Sequence, residues 1–365
     1  MASKSRIGPG VPAPSLPPSR SARRGVPRPS RRPLWFLVGG LAGAGLGIAV
    51  LLPRPAGPPP QQAPHLPVAT APAVAPAPAP TAKQRPAFDK EAAWKHLTRQ
   101  VEFGPRVAGM SGHPACLEWM AGVLKPLAEK VERQEFTASL GSKRLPMTNL
   151  IATWGASGAA QGEGLLFAAH WDTRPSADEE PNFADRKKPI PGANDGASGV
   201  AVLLELARLL KQSPPPVPVT LVFFDGEDYG PSLERMFLGS QYFAQHLPPG
   251  TPRQGALLDM IGDRELVIPK EKYSIDAAPR VVEAVYKIAK RLGYEKQFPD
   301  ENGPSIMDDH LPLIQSGLQV IDLIDFNYGP NHSWWHTHQD TPDKCSPASL
   351  KVVGDVMAEW IYSRG

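Results

Sequence analysis

The stretch VTLVFFDGEDYG, Val219 to Gly230, ends an apolar, β-branched and aromatic run in three acids, Asp225, Glu227 and Asp228. Carboxylates crowded at the end of a buried strand repel one another unless a positive charge or a shared proton lies among them. Four other segments offer side chains of the same kind. FAAHWDT supplies His170 and Asp172, GANDGASG supplies Asp195 in a glycine-rich loop, LLDMIGD supplies Asp259, and SWWHTHQD supplies His332, His336 and His338. Imidazole and carboxylate without thiolate form a hard-to-borderline donor set suited to zinc. A neighbouring carboxylate could carry a proton. Plainer roles compete at single positions. Asp195 could cap the helix that follows it, Glu227 and Asp228 could sit in a solvated loop, and His332 and His338 read as surface residues. Asp225 reads as structural, orienting the turn. The signal is that five separate segments each deliver an acid or an imidazole.

The elements that must position them follow from the apolar pattern. Strand-like runs fall at 148–154, 164–172, 219–225, 256–262 and 318–325, and helical runs at 88–103, 198–212, 278–294 and 346–363. Short apolar strands without alternation, separated by helices, predict an α/β domain whose mostly parallel sheet is covered on both faces. Such sheets bind ligands outside the carboxyl ends of their strands, which is where the polar residues lie.

The rest of the chain is organised around that domain. Residues 1–33 hold eight basic residues and no acid, so the remaining residues of this 365-residue chain, whose formal charge is +3, sum to −5. The basic balance therefore belongs to a tail, and nothing else suggests a nucleic-acid surface. Residues 34–52 carry no charge over nineteen positions and read as a transmembrane signal-anchor. The basic tail would then stay cytoplasmic, with the domain on the non-cytoplasmic side, periplasmic in a bacterium. A cleaved signal peptide is the alternative. Residues 53–87, rich in Pro and Ala, read as an extended linker, and 88–365 as the catalytic domain. Cys116 and Cys345 could pair or remain two buried thiols.

FGPRVAGMSGH, HWDT, GANDGASGVAVLLELARLL, DGED and HTHQDTPDKCS resemble the zinc aminopeptidase superfamily, the M28 type, across residues 90–362. Within it, DGEDYG with LGSQYF, ALLDMIGD, MDDHLPLI and WWHTHQDT resemble the glutaminyl-peptide cyclotransferases, the bacterial ones above all. The resemblance implies a three-layer α/β/α sandwich with a mostly parallel mixed central sheet, zinc-exopeptidase-like. It implies an enzyme that converts the N-terminal glutamine of peptides and proteins to pyroglutamate and releases ammonia. It assigns one Zn2+ to Asp195, Asp228 and His336, general acid/base work to Glu227, catalytic support to Asp259 and Asp308, and substrate contacts to Trp335 and Asp308. Because the peptide bond survives the reaction, residues after the first are expected to matter little. The sequence departs from the animal enzymes in three places. Asp228 stands where they have Glu, only Tyr229, Leu233 or Phe237 is available where they have a Trp, and Met307 precedes the DDH motif.

Two other readings use the same inventory. In a two-metal aminopeptidase, His170 and Asp259 would complete a second site bridged by Asp195, and Glu227 would activate water. A non-catalytic metal-binding ectodomain would need the ligands but not Glu227.

Overall fold

The computed structural model describes residues 85–155 and 162–364. The chain enters through α1 (Lys90–Glu102) and α2 (Gly112–Leu124), then forms a hairpin of β1 (Lys130–Leu140) and β2 (Lys143–Trp154). Next come β3 (Leu165–His170), α3 (Ala197–Gln212), β4 (Val219–Phe224), α4 (Leu238–Gln245) and β5 (Gln254–Asp259). They are followed by α5 (Lys272–Ala277), α6 (Pro279–Arg291), α7 (His310–Gln315), β6 (Gln319–Ile324) and α8 (Pro347–Tyr362). The six strands lie in the order β1-β2-β4-β3-β5-β6. β4, β3, β5 and β6 are mutually parallel, and the β1–β2 hairpin adds antiparallel to β4.

The central strands β3 and β4 are buried at every position, and strand geometry divides their side chains between two cores. Leu165, Phe167 and Ala169 join the core beneath α1, α3, α6 and α8, while Leu166 and Ala168 join the opposite core with Phe243 of α4 and Leu313 of α7. The result is the expected α/β/α sandwich. Packing fixes the entry of the domain as well: the Phe88 ring fills the space over Gly354 of α8, where an added Cβ would come within 2.2 Å of it.

β1 was absent from the sequence reading. It is an edge strand, half exposed along its length, and Lys130, Glu132, Arg133 and Glu135 interrupt its apolar pattern. Charges of this kind are how natural sheets discourage further pairing. Cys116 and Cys345 are separate, buried thiols.

The membrane-anchored placement is corrected. Among the described residues no helix is long and apolar enough to cross a membrane; α3 and α8, with 16 residues each, fall short of the ~20 needed to span a hydrocarbon core of about 30 Å. The segments 1–33 and 34–52, and the linker up to residue 84, lie outside the described residues.

Candidate active site

The strand ends converge. Asp195, Glu227, Asp228, Asp259, Asp308, Trp335 and His336 all line one small recess at the carboxyl edge of the parallel strands. Glu227, Asp228, Asp195, Asp308 and His336 are each no more than 6% exposed.

The backbone is shaped to bring them there. β4 stops at Phe224, and the chain turns through Gly226 at φ +73°, where an added Cβ would meet the Met147 sulfur at 2.6 Å. The turn is held from the neighbouring strand end: Asp172 accepts the Glu227 N–H at 3.0 Å and the Asp228 N–H at 3.2 Å. Asp225 faces away, accepting the Thr148 N–H at 2.7 Å and pairing with His113 at 2.9 Å. Asp195 does not cap α3, since Gly196 occupies that position without a side-chain cap. Its loop is instead fastened by Asp340, which accepts the Asn194 and Asp195 N–H groups. His336 and Met260 both hold positive φ, +52° and +47°, a strained conformation that persists where the surroundings enforce it.

Asp195, Asp228 and His336 present ligand atoms within 4.8 Å of one another. His336 Nε2 lies 3.6 Å from Asp195 Oδ2 and 3.4 Å from Asp228 Oδ1. Metal–ligand bonds of ~2.0–2.2 Å at a tetrahedral angle separate neighbouring ligands by about 3.4 Å. Asp228 Oδ2 and His336 Nδ1 are buried without a hydrogen-bond partner, so the triad has spare valence. These residues fit a zinc ion. Arg174 also binds Asp228, pairing with Oδ1 through Nη1. Burial acts upward on the Asp228 carboxyl, but His336 and Arg174 outweigh it and hold the group down at about 2, ionised and ready to ligate.

His170 faces a different balance. Its Nε2 is 3.1 Å from both Asp195 Oδ1 and Asp259 Oδ1, and its Nδ1 is 3.7 Å from Glu227. Burial alone would favour the neutral ring, yet Glu227 and the three aspartates raise its pKa well above the usual value. Glu227 is shifted the other way for a carboxyl. Burial lifts it well above the usual range against the pull of His170, and Asp228, Asp308 and Asp309 add to the rise.

Trp335 stacks on the His336 ring at 3.6 Å and meets Phe326 edge-on at 5.3 Å. Met236 and Met307 line the recess, and none of Tyr229, Leu233 and Phe237 is among its lining residues. His332 lies tilted against Trp335 with ring centroids 4.8 Å apart, and His338 bonds Glu180 at 3.1 Å.

Sequence reasoning missed several residues. Arg174 stands two positions after Asp172, and Asp340 sits inside a quoted motif, but neither was singled out. Behind Asp308, the buried His310 places Nε2 3.3 Å from Glu271 and Nδ1 3.8 Å from Asp322.

Comparison with known proteins gives this geometry a lineage. The Peptidase family M28 model matches residues 149–361. A glutaminyl cyclase of Bacteroides thetaiotaomicron, solved with N-acetylhistamine bound, is 38% identical, covers 76% of this chain and 99% of its own, and superposes with a TM-score of 0.72. The mouse glutaminyl-peptide cyclotransferase-like protein is 27% identical over 305 residues, 75% of each chain. Aminopeptidase YwaD of Bacillus subtilis is 29% identical over 182 residues, but this spans only 47% of this chain and 37% of YwaD. YwaD matches part of the domain, whereas the cyclase structure matches it in full, as does a Bacteroides thetaiotaomicron structure described as a leucine aminopeptidase precursor, 38% identical with a TM-score of 0.72. The chain belongs to peptidase family M28 and, within that family, to the glutaminyl cyclases.

Proposed function

We propose that this chain is a zinc-dependent glutaminyl-peptide cyclotransferase, acting on peptides and proteins that begin with glutamine. The observation that carries the reading is the recess itself, where Glu227, with its proton affinity raised by burial, lies beside a zinc-type triad.

Asp195, Asp228 and His336 would hold a single zinc ion. When bound, the ion supplies Lewis-acid polarisation of the γ-carbonyl oxygen. The chain's own residues supply the rest. Trp335, fixed by its stack on His336, offers an apolar wall to the glutamine methylenes. Glu227 takes the proton that the α-amine sheds as its nitrogen bonds to the side-chain carbonyl carbon, Cδ. The same carboxyl returns that proton to the amide nitrogen as the carbon–nitrogen bond breaks, and ammonia leaves. A carboxyl whose proton affinity is raised by burial suits both halves of this transfer. Asp308, buried with Oδ2 unpartnered, faces the space where the substrate nitrogens would lie, and Asp259 holds His170.

The count of one zinc follows the family resemblance; His170 Nε2, 3.1 Å from both Asp195 and Asp259, stands where a second metal's ligands would, so the metal count is read by titration. The test is ammonia release from glutamine-led peptides by the zinc-loaded protein. Hydrolysis of leucine-led peptides without ammonia release would instead favour the aminopeptidase.

A further inference from the structure

Asp308 reaches the recess from the loop before α7, and among the described residues no side chain holds its carboxylate. Oδ1 accepts the N–H of the next residue, Asp309, at 2.5 Å, and Oδ2 has no partner. The loop is gripped instead on both sides of Asp308 by one buried carboxylate. Glu271, the N-cap of α5, accepts the Tyr273 and Ser274 N–H groups at 2.9 and 2.6 Å. Its Oε1 also accepts the Ile306 N–H at 3.0 Å, two residues before Asp308. Its Oε2 lies 3.3 Å from Nε2 of the buried His310, two residues after Asp308. The other His310 nitrogen, Nδ1, lies 3.8 Å from Asp322 of β6. No hydrogen-bond partner elsewhere among the described residues reaches either nitrogen. Ser274 Oγ donates to Glu271 at 2.8 Å and accepts the Asp322 N–H at 2.9 Å, which ties the grip to the sheet. Burial acts upward on the Glu271 carboxyl, but His310 and the three backbone N–H groups outweigh it and hold the group down at about 2.

We infer that Glu271 and His310 form a clamp that positions Asp308 against the substrate nitrogens. The inference rests on the cyclase reading above, in which Asp308 faces those nitrogens. Neither Glu271 nor His310 lines the recess, so both are positioning residues that act through Asp308. A carboxylate that no side chain fixes takes its aim from its backbone. Misplacing a group at the reacting centre by about 1 Å can cost ~10²-fold in rate. Clamping the chain two residues before and two residues after Asp308 limits that drift.

The experiment measures ammonia release from a Gln-Ala peptide by zinc-loaded wild type, His310→Asn and His310→Gln, each with Asp308 intact and with Asp308→Asn. Both replacements are neutral amides, but only Gln carries its nitrogen out to where Nε2 meets Glu271. His310→Asn should lose about 10–100-fold in kcat/KM with zinc content unchanged, and His310→Gln should stay within about twofold of wild type. With Asp308→Asn in place, His310→Asn should cost no more than about twofold further, because residues that act as a unit do not add. Glu271→Asp keeps a capping carboxylate for α5 but shortens the reach to Ile306 and His310, and should lose activity as His310→Asn does. Wild-type rates in His310→Asn and Glu271→Asp, equal losses in the Asn and Gln variants, or the full loss repeated with Asp308→Asn would overturn the clamp. Failure of the wild type to release ammonia would overturn the cyclase reading and the clamp's role with it.

Discussion

Replacing Arg174 by Met should destabilise the metal-free protein far more than the zinc-loaded one. The Arg174 side chain is 3% exposed and that of its partner Asp228 is 1% exposed. Removing one member of a buried ion pair strands the other without compensation, at a cost of about 3–5 kcal/mol. For an m-value of about 2–3 kcal/mol/M, the urea midpoint should fall by roughly 1–2 M. Zinc narrows the gap, because it returns positive charge to Asp228 and binds only the folded state. The pH dependence has a definite sign. Asp228 is held at about 2, below its unfolded value near 4, so its stabilising contribution is present above pH 4 and is lost as pH falls through 2. The difference between wild type and variant should shrink over that window. Arg174→Lys keeps the charge but not the fork that also binds Asp178, and should lie between the two. The assay is urea denaturation with chelator and with zinc. Coincident metal-free midpoints for wild type and Arg174→Met would refute the pairing.

Three further outcomes follow. Glu227→Gln keeps shape and hydrogen bonding but cannot pass a proton, so turnover should drop by ~10²–10⁴-fold while zinc content measured by elemental analysis stays unchanged. Asp309 is lifted by burial to about 7, above its unfolded value near 4. Its ionisation therefore costs stability that is lost as pH rises through that window, and Asp309→Asn should gain on wild type between pH 4 and pH 7 in denaturation curves. Chelation should abolish turnover, and titration back should restore it at one zinc per chain; a requirement for two would point to the His170–Asp259 site.

How much of this was legible in the sequence depends on where each residue sits. β3 and β4 are buried on both faces, so their apolar runs were continuous and their ends stood out as acids. β1 was hidden because edge strands carry charge. The site acids Asp195, Glu227, Asp228 and Asp259, with His336, announced themselves by ending strands or opening loops. Asp308 and Trp335 came from the family motif alone. Arg174, Asp340 and the Glu271–His310–Asp322 cluster could not be read, because what each side chain binds is decided by approach in space between separate segments, 54 positions apart for Arg174 and Asp228 and 146 for Asp340 and Asn194. The nineteen uncharged residues at 34–52 gave a strong pattern but lie outside the described residues, among which no helix is long and apolar enough to cross a membrane.

The most direct test of the central claim follows the masses of a mixed pool of glutamine-led and leucine-led peptides incubated with the zinc-loaded protein. The glutamine peptides should each lose the mass of ammonia and stay otherwise whole, because the proton moved by Glu227 serves ring closure and not peptide cleavage. Free leucine appearing while the glutamine peptides keep their mass would contradict the account.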